Sequence, residues 1–147
     1  MRHSKWKLSN FLVIKFLIIF GALGIQQAMA EVAVIVNPAN ASSINESMIK
    51  KIFLGKQKKY PNGQVVIPLN SAEGSPSRES FNKTIIGRSA TQISSYWARL
   101  VFTGKGTKPQ DLGSDSEIVK TVESNQGAIS YVDAASVTDK VKVIAKF

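Results

Sequence analysis

The chain has 147 residues, 44% of them apolar, with 19 Lys and Arg against 10 Asp and Glu, one His and no Cys. That length and composition fit one ordinary domain and exclude collagenous and disordered classes. The absence of Cys excludes disulfide scaffolds, thiolate metal sites, cysteine nucleophiles and any lipid anchor attached through Cys, while the formal charge of +9 points first to a nucleic-acid or membrane partner.

Residues 1–30 read as a secretory signal peptide, which changes that first impression. Arg2, Lys5, Lys7 and Lys15 give a positive leading region without an acid, Phe16 to Ile25 is a short apolar run, and Ala28-Met29-Ala30 supplies an A-x-A cleavage site. The apolar stretch from Phe11 spans 15 residues with Lys15 inside it, short of the roughly 20 that a spanning helix needs. Cleavage after Ala30 leaves residues 31–147 as one domain of 117 residues, with 15 Lys and Arg against 10 acids and a charge of +5. No stable membrane anchor is expected after that cleavage, and the periplasm is the expected location. His3 leaves with the signal, so no Zn, Cu or haem site of the usual ligand types is expected, nor an imidazole base for an activated serine. No cofactor is expected, and binding is a better reading than enzymatic catalysis.

Val32 to Val36 is a continuous, mostly β-branched run that suits a strand covered on both faces. Ile44, Met48, Ile49, Ile52 and Phe53 then recur at helical spacing, with Ser43 as N-cap and Gly55 as the stop. The S-x-x-K match at Ser47 to Lys50 lacks its S-D-N and K-T-G partners and carries no catalytic meaning. Lys56, Lys58 and Lys59, downstream of Lys50 and Lys51, read as a solvated basic face; docking on anionic lipid or on a partner is the alternative, and nucleic acid is not an expected partner of an exported protein.

Pro61-Asn62-Gly63 marks a turn before a second strand over Gln64 to Leu69, where Pro68 places the strand near an edge or an end. A helix over Pro76 to Ile86 buries Phe81, Ile85 and Ile86 and stops at Gly87. Ala90 to Phe102 is a third helix whose Ile93, Tyr96, Trp97, Leu100 and Val101 form an apolar stripe expected in the core. The Gly- and Lys-rich loop Phe102 to Pro109 lacks the G-x-x-x-x-G-K-[ST] spacing of a nucleotide cradle; it reads as a solvated turn, with a basic loop beside an anion site as the alternative. A fourth helix covers Asp115 to Ser124, and strands follow over Ala128 to Val132 and Val141 to Ala145. Alternating strands and helices predict an α/β domain with a largely parallel or mixed central sheet flanked by helices.

The most informative stretch is Asn70 to Arg78, between a strand and a helix, where α/β sheets place their ligands. A helix N-terminus there offers unpaired N–H groups to an anion, Ser75 and Ser77 add hydroxyl donors, and Arg78 adds a planar fork suited to phosphate oxygens. The plain alternative is a helix start with Ser75 as N-cap and Pro76 at the first helical position.

Val32 to Pro38, Ile49 to Lys56 (Ile-Lys-Lys-Ile-Phe-Leu-Gly-Lys), Gly74 to Phe81, Tyr96-Trp97 and Gly127 to Val132 (Gly-Ala-Ile-Ser-Tyr-Val) stand in an order that resembles the phosphate-binding periplasmic proteins of ABC transporters, in a short form. The resemblance covers nearly all of 31–147. It implies a single periplasmic-binding-protein-like lobe that binds inorganic phosphate or a similar oxyanion, serving an ABC permease or phosphate sensing. In the family an Arg precedes a Gly-Ser-Gly-Thr turn that opens a helix, with a Phe four residues after the Thr. Gly74, Ser75 and Phe81 match and Ser77 can replace the Thr hydroxyl, so the resemblance implies a site of Ser71, Gly74, Ser75, Ser77 and Arg78. Ser71 stands where the Arg would be, and Pro76 replaces a Gly whose N–H would donate. Arg78 restores the missing charge if it folds back toward the loop. Family members close two lobes around the anion, so one lobe implies weak binding or binding completed by a second lobe through dimerisation. The alternative is an envelope protein-interaction module on the same fold with no small ligand.

Overall fold

Strand β1 (Val32–Val36) is buried at all five positions, because both of its faces are covered. Val32, Val34 and Val36 enter one apolar cluster and Ala33 and Ile35 enter another, the period-two alternation of a strand between two layers. The computed structural model describes residues 30–147; the leading basic and apolar segment, read above as a signal peptide, lies outside the described residues apart from Ala30.

Helix α1 (Glu46–Phe53) starts later than the sequence suggests. Its N-cap is Asn45 rather than Ser43: the Asn45 side chain accepts the Met48 N–H at 2.9 Å, one of the donors a helix start leaves free. Strand β2 (Ile67–Asn70) also starts later than predicted. Tyr60 N–H donates to Gln64 O and Val66 N–H to Lys58 O, so residues up to Val66 belong to a small hairpin around Pro61-Asn62-Gly63. Helix α2 (Pro76–Phe81) continues into a wider π-type turn at Asn82–Ile86, which Gly87 ends at φ 70°. Helix α3 (Ala90–Phe102) opens on a capping box between Ser89 and Gln92. Strand β3 (Gln110–Asp111) was not legible in the sequence; helix α4 (Asp115–Ser124), strand β4 (Ala128–Asp133) and strand β5 (Lys142–Lys146) lie close to where they are expected.

The five strands form one mixed sheet in the order β3-β2-β4-β1-β5. β2 is parallel to β3 and β4, while β1 is antiparallel to β4 and β5. The carboxyl ends of β2, β3 and β4 therefore open on the same side of the sheet. Pro68 pairs with β4 through Ile129, and β3 reaches only Leu69 and Asn70, so the missing N–H falls where no second neighbour needs it.

One face of the sheet packs against α1, α2 and the π-type turn. There Phe81 stacks on Tyr131 with ring centroids 3.9 Å apart, and Phe53 meets both rings edge-on. The other face packs against α4 through Ile118, Val119 and Val122. Among the described residues, the two clusters run from Val32 onward and fill both faces of the sheet.

The stripe on α3 departs from expectation. Trp97 is its only buried residue, Ile93, Tyr96 and Leu100 are half-buried, and Val101 is exposed. The end of α3, at Val101 and Phe102, stands clear of the core.

Candidate functional site

β2 ends at Asn70, and the loop to α2 begins with Ser71, which is buried. Ser75 N–H donates to Ala72 O at 3.1 Å, closing a tight turn in which Gly74 adopts φ 75°. A side chain is strained in that left-handed region, which is the physical reason for glycine at this position. Ser75 is extended, and its Oγ accepts the Arg78 N–H at 3.3 Å, so it is the helix N-cap. Its hydroxyl also lies 2.9 Å from Ser71 Oγ, with either able to donate. Pro76 takes the first helical position, and Ser77 follows it, buried.

Arg78 folds back toward the loop. It is the only charged residue buried among the described residues, 8% exposed. Its Nη1 donates to Ser71 O at 2.9 Å and to Asp111 Oδ1 at 2.8 Å. Asn70 Nδ2 donates to the same carboxylate oxygen at 3.2 Å, and Lys108 Nζ to Asp111 Oδ2 at 2.8 Å. The Tyr131 hydroxyl donates in turn to Asn70 Oδ1 at 3.3 Å, which fixes the amide with its nitrogen toward Asp111.

Partial burial pushes the Asp111 carboxyl up, but the hydrogen bond from Lys108, the charges of Arg78 and Lys108 and the Asn70 amide together hold it below its ordinary value. Burial raises the Tyr131 phenol well above its usual range against the opposing charge of Arg78, so Tyr131 is a neutral donor at physiological pH. Two cations share one carboxylate here, and the carboxylates of Glu73 and Glu79 line the cleft beside them.

A cleft of about 300 Å³ opens beside the cluster. Glu73, Arg78 and Lys108 stand on its polar side, and Ile93, Trp97 and Val101 of α3 on its apolar side.

Ser71, Gly74, Ser75, Ser77 and Arg78 thus all fall in one loop and the first turn of one helix. Ser71, Ser75 and Arg78 are joined by hydrogen bonds; Gly74 shapes the turn, and Ser77 lies one residue before Arg78. Asp111 and Tyr131 join the site without having been singled out, and so does the side chain of Asn70, which opens the stretch that was. Lys108 comes from the loop that the sequence offered as a solvated turn or as a basic loop beside an anion site; here its ammonium is bound to Asp111.

No family model and no curated protein sequence matches the chain. Solved structures do. An ABC-type phosphate transport receptor from Vibrio cholerae is 19% identical with a TM-score of 0.61, covering 79% of this chain and 46% of its own. A putative phosphate ABC transporter substrate-binding protein from Clostridium perfringens, solved with bound phosphate, is 22% identical with a TM-score of 0.61, covering 79% and 45%. A possible phosphate-binding protein from Planctomyces limnophilus is 18% identical with a TM-score of 0.58, covering 79% and 42%. This chain spans less than half the length of each of these proteins. The mixed five-stranded sheet and its flanking helices have the fold of a single periplasmic-binding-protein-like lobe, shared with phosphate receptors of ABC transporters.

Proposed function

We propose that this chain is a non-enzymatic binding protein for inorganic phosphate or a similar oxyanion, held at Ser71, Gly74, Ser75, Ser77 and Arg78. The observation that carries the reading is the placing of that loop. It opens α2 at the carboxyl ends of parallel strands, in a fold shared with proteins described as phosphate receptors. The Ser77 N–H lies at the second helical position, where no intrahelical partner exists, and the Ser71 and Ser75 hydroxyls, 2.9 Å apart, belong to the loop that leads into it. The solved neighbours are described as receptors and substrate-binding proteins rather than enzymes.

The same geometry implies weak capture. Pro76 has no N–H to give, Arg78 divides its charge between the loop and Asp111, and one lobe leaves a bound anion facing water, where each charge-assisted bond is worth less. A second lobe supplied by dimerisation, or an ABC permease, would complete such a site. We further propose export to the periplasm by residues 1–30, cleaved after Ala30. Among the described residues no helix is long and apolar enough to cross a membrane.

A second reading, an envelope interaction module with no small ligand, is favoured by the Arg78–Asp111 pair, because the buried cation already holds a carboxylate. Thermal melting of residues 30–147 in phosphate, against chloride at equal ionic strength, separates the two. The binding reading requires a higher melting temperature at millimolar phosphate, since a ligand acts once its concentration approaches Kd. The module reading requires no shift, together with one stoichiometric periplasmic partner whose capture phosphate does not alter.

A further inference from the structure

Charge is segregated along this chain. Residues 47–72 contain five lysines between Lys50 and Lys59 and no carboxylate, and residues 80–110 contain Lys83, Arg88, Arg99, Lys105 and Lys108 and again no carboxylate. The fold brings these two stretches together. The Trp97 ring lies against Gly55 of the first and Gly106 of the second, so tightly that a Cβ on Gly55 would stand 2.8 Å from the ring. Between them runs a groove of about 540 Å³, with Lys58, Val65 and Ile67 on one side and Lys105, Lys108 and Pro109 on the other. No Asp or Glu lines it.

The exposed apolar residues follow the same division. Among the described residues the exposed large hydrophobics are Val65 (59%), Ile67 (40%), Val101 (53%) and Phe102 (93%), and all four lie in the two acid-free stretches. Single exposed apolar residues are ordinary on protein surfaces. Val65 and Ile67 line the acid-free groove beside Lys58 and Lys105, and Phe102 stands where α3 runs into the loop that forms the other wall, so apolar side chains are interspersed with lysines whose stems are themselves apolar. Val101 turns instead into the cleft that Glu73 and Glu79 also line.

We propose that this face docks reversibly on an anionic phospholipid surface, with Phe102 entering the headgroup layer and Lys58, Arg99 and Lys105 holding lipid phosphates. Charge complementarity selects the occupant. A second copy of the chain would bring two cationic faces together, which like-charge repulsion opposes. A nucleic acid would satisfy the lysines and leave Val65, Ile67 and Phe102 in contact with its charged backbone. A folded acidic protein would need a pocket shaped for Phe102, which projects almost fully from the end of α3. A bilayer needs no such shape: it attracts each nearby cation and accepts an apolar side chain at headgroup depth. The inference is independent of oxyanion binding at Ser71 to Arg78.

Flotation of residues 30–147 with lipid vesicles tests it, since this segment holds the apolar clusters on both faces of the sheet and lacks the apolar leader. The protein is expected to float with vesicles of phosphatidylglycerol and phosphatidylcholine, to stay behind with phosphatidylcholine alone, and to be released in about 0.5 M salt, where the Debye length has shrunk to a few ångströms. Phe102→Ser removes the burial of one aromatic side chain and is expected to weaken binding at least roughly tenfold. Lys105→Glu weakens it by more than roughly fivefold, the effect of removing one cation. Lys120→Glu, on exposed α4, is the charge-matched control and leaves most of the binding. Soluble polyglutamate is titrated in parallel and should bind parent and Phe102→Ser alike. No flotation with anionic vesicles, or flotation that Phe102→Ser leaves unchanged, overturns the proposal. Equal weakening of vesicle and polyglutamate binding by Phe102→Ser also overturns it, and assigns the face to an acidic protein instead.

Discussion

Arg78 Nη1 lies 2.8 Å from Asp111 Oδ1, so the one buried cation among the described residues is tied across 33 residues of sequence to a two-residue edge strand. The pair does two things at once. It anchors β3 and the loop before it to α2, and it places a carboxylate beside the group best suited to receive an anion. Asp111 thus stabilises the site while weakening its attraction for phosphate.

That opposition gives a prediction that separates stability from binding. Asp111→Asn keeps the shape and removes the competing charge. If the loop binds phosphate, this variant binds it more tightly, by roughly tenfold, because a neighbouring like charge no longer opposes the ligand. The same change lowers stability by about 1–2 kcal/mol, the scale of a charge-assisted bond discounted for the partial exposure of Asp111. Titration and denaturant unfolding of one variant therefore move in opposite directions.

The depressed pKa of Asp111 makes a statement about pH. A carboxyl held lower in the folded state than in the unfolded chain contributes its full stability above the unfolded value, near pH 4. The contribution is lost as pH falls through the lower, folded-state value. The parent is expected to lose melting temperature over that acid window more steeply than Asp111→Asn, and the two should run parallel above about pH 5.

Phe81 carries both the packing of α2 and the position of the loop before it. Its ring stacks on Tyr131 at 3.9 Å and meets Phe53 edge-on, and it is 1% exposed. Phe81→Ala is expected to cost about 3–5 kcal/mol, a large share of the stability of a domain this size, and chemical denaturation measures it. Phe81→Leu should cost less than half as much, because most of the buried volume remains.

Gly55 is tested in the same way. It adopts φ 70°, and a Cβ there would meet the Trp97 ring at 2.8 Å. Gly55→Ala combines left-handed strain with overpacking and is expected to destabilise by about 1–3 kcal/mol. Gly63→Ala, also left-handed but with nothing within 4 Å of its added Cβ, should cost only the strain.

Much of the fold was legible because local chemistry and tertiary packing agree. Ser75, Ser89 and Ser114 each stand directly before a helix and cap it, and the run from Val32 to Val36 announces a strand buried on both faces. Disagreements arise where distant residues decide. Ser43 looked like the N-cap of α1, yet Asn45 is nearer the first turn and its amide oxygen reaches Met48 N–H. β3 has no hydrophobic pattern, since it exists only as a short pairing with Leu69 and Asn70. The apolar stripe on α3 promised a core helix, but no layer covers Val101.

The candidate site divides along the same line. From its place one turn after Ser75, Arg78 could be named as a candidate to fold back toward the loop, though not shown to do so. Its partner Asp111 could not, because the register that sets Asp111 beside Asn70 belongs to the sheet and not to any local motif.

Isothermal titration of residues 30–147 with inorganic phosphate, repeated with Ser75→Ala and Arg78→Ala, tests the central claim most directly. The account predicts weak saturable binding with one site per chain, reduced by Ser75→Ala and abolished by Arg78→Ala, in variants that still unfold cooperatively. The absence of any saturable heat at millimolar phosphate, or a heat that both substitutions leave unchanged, would contradict it.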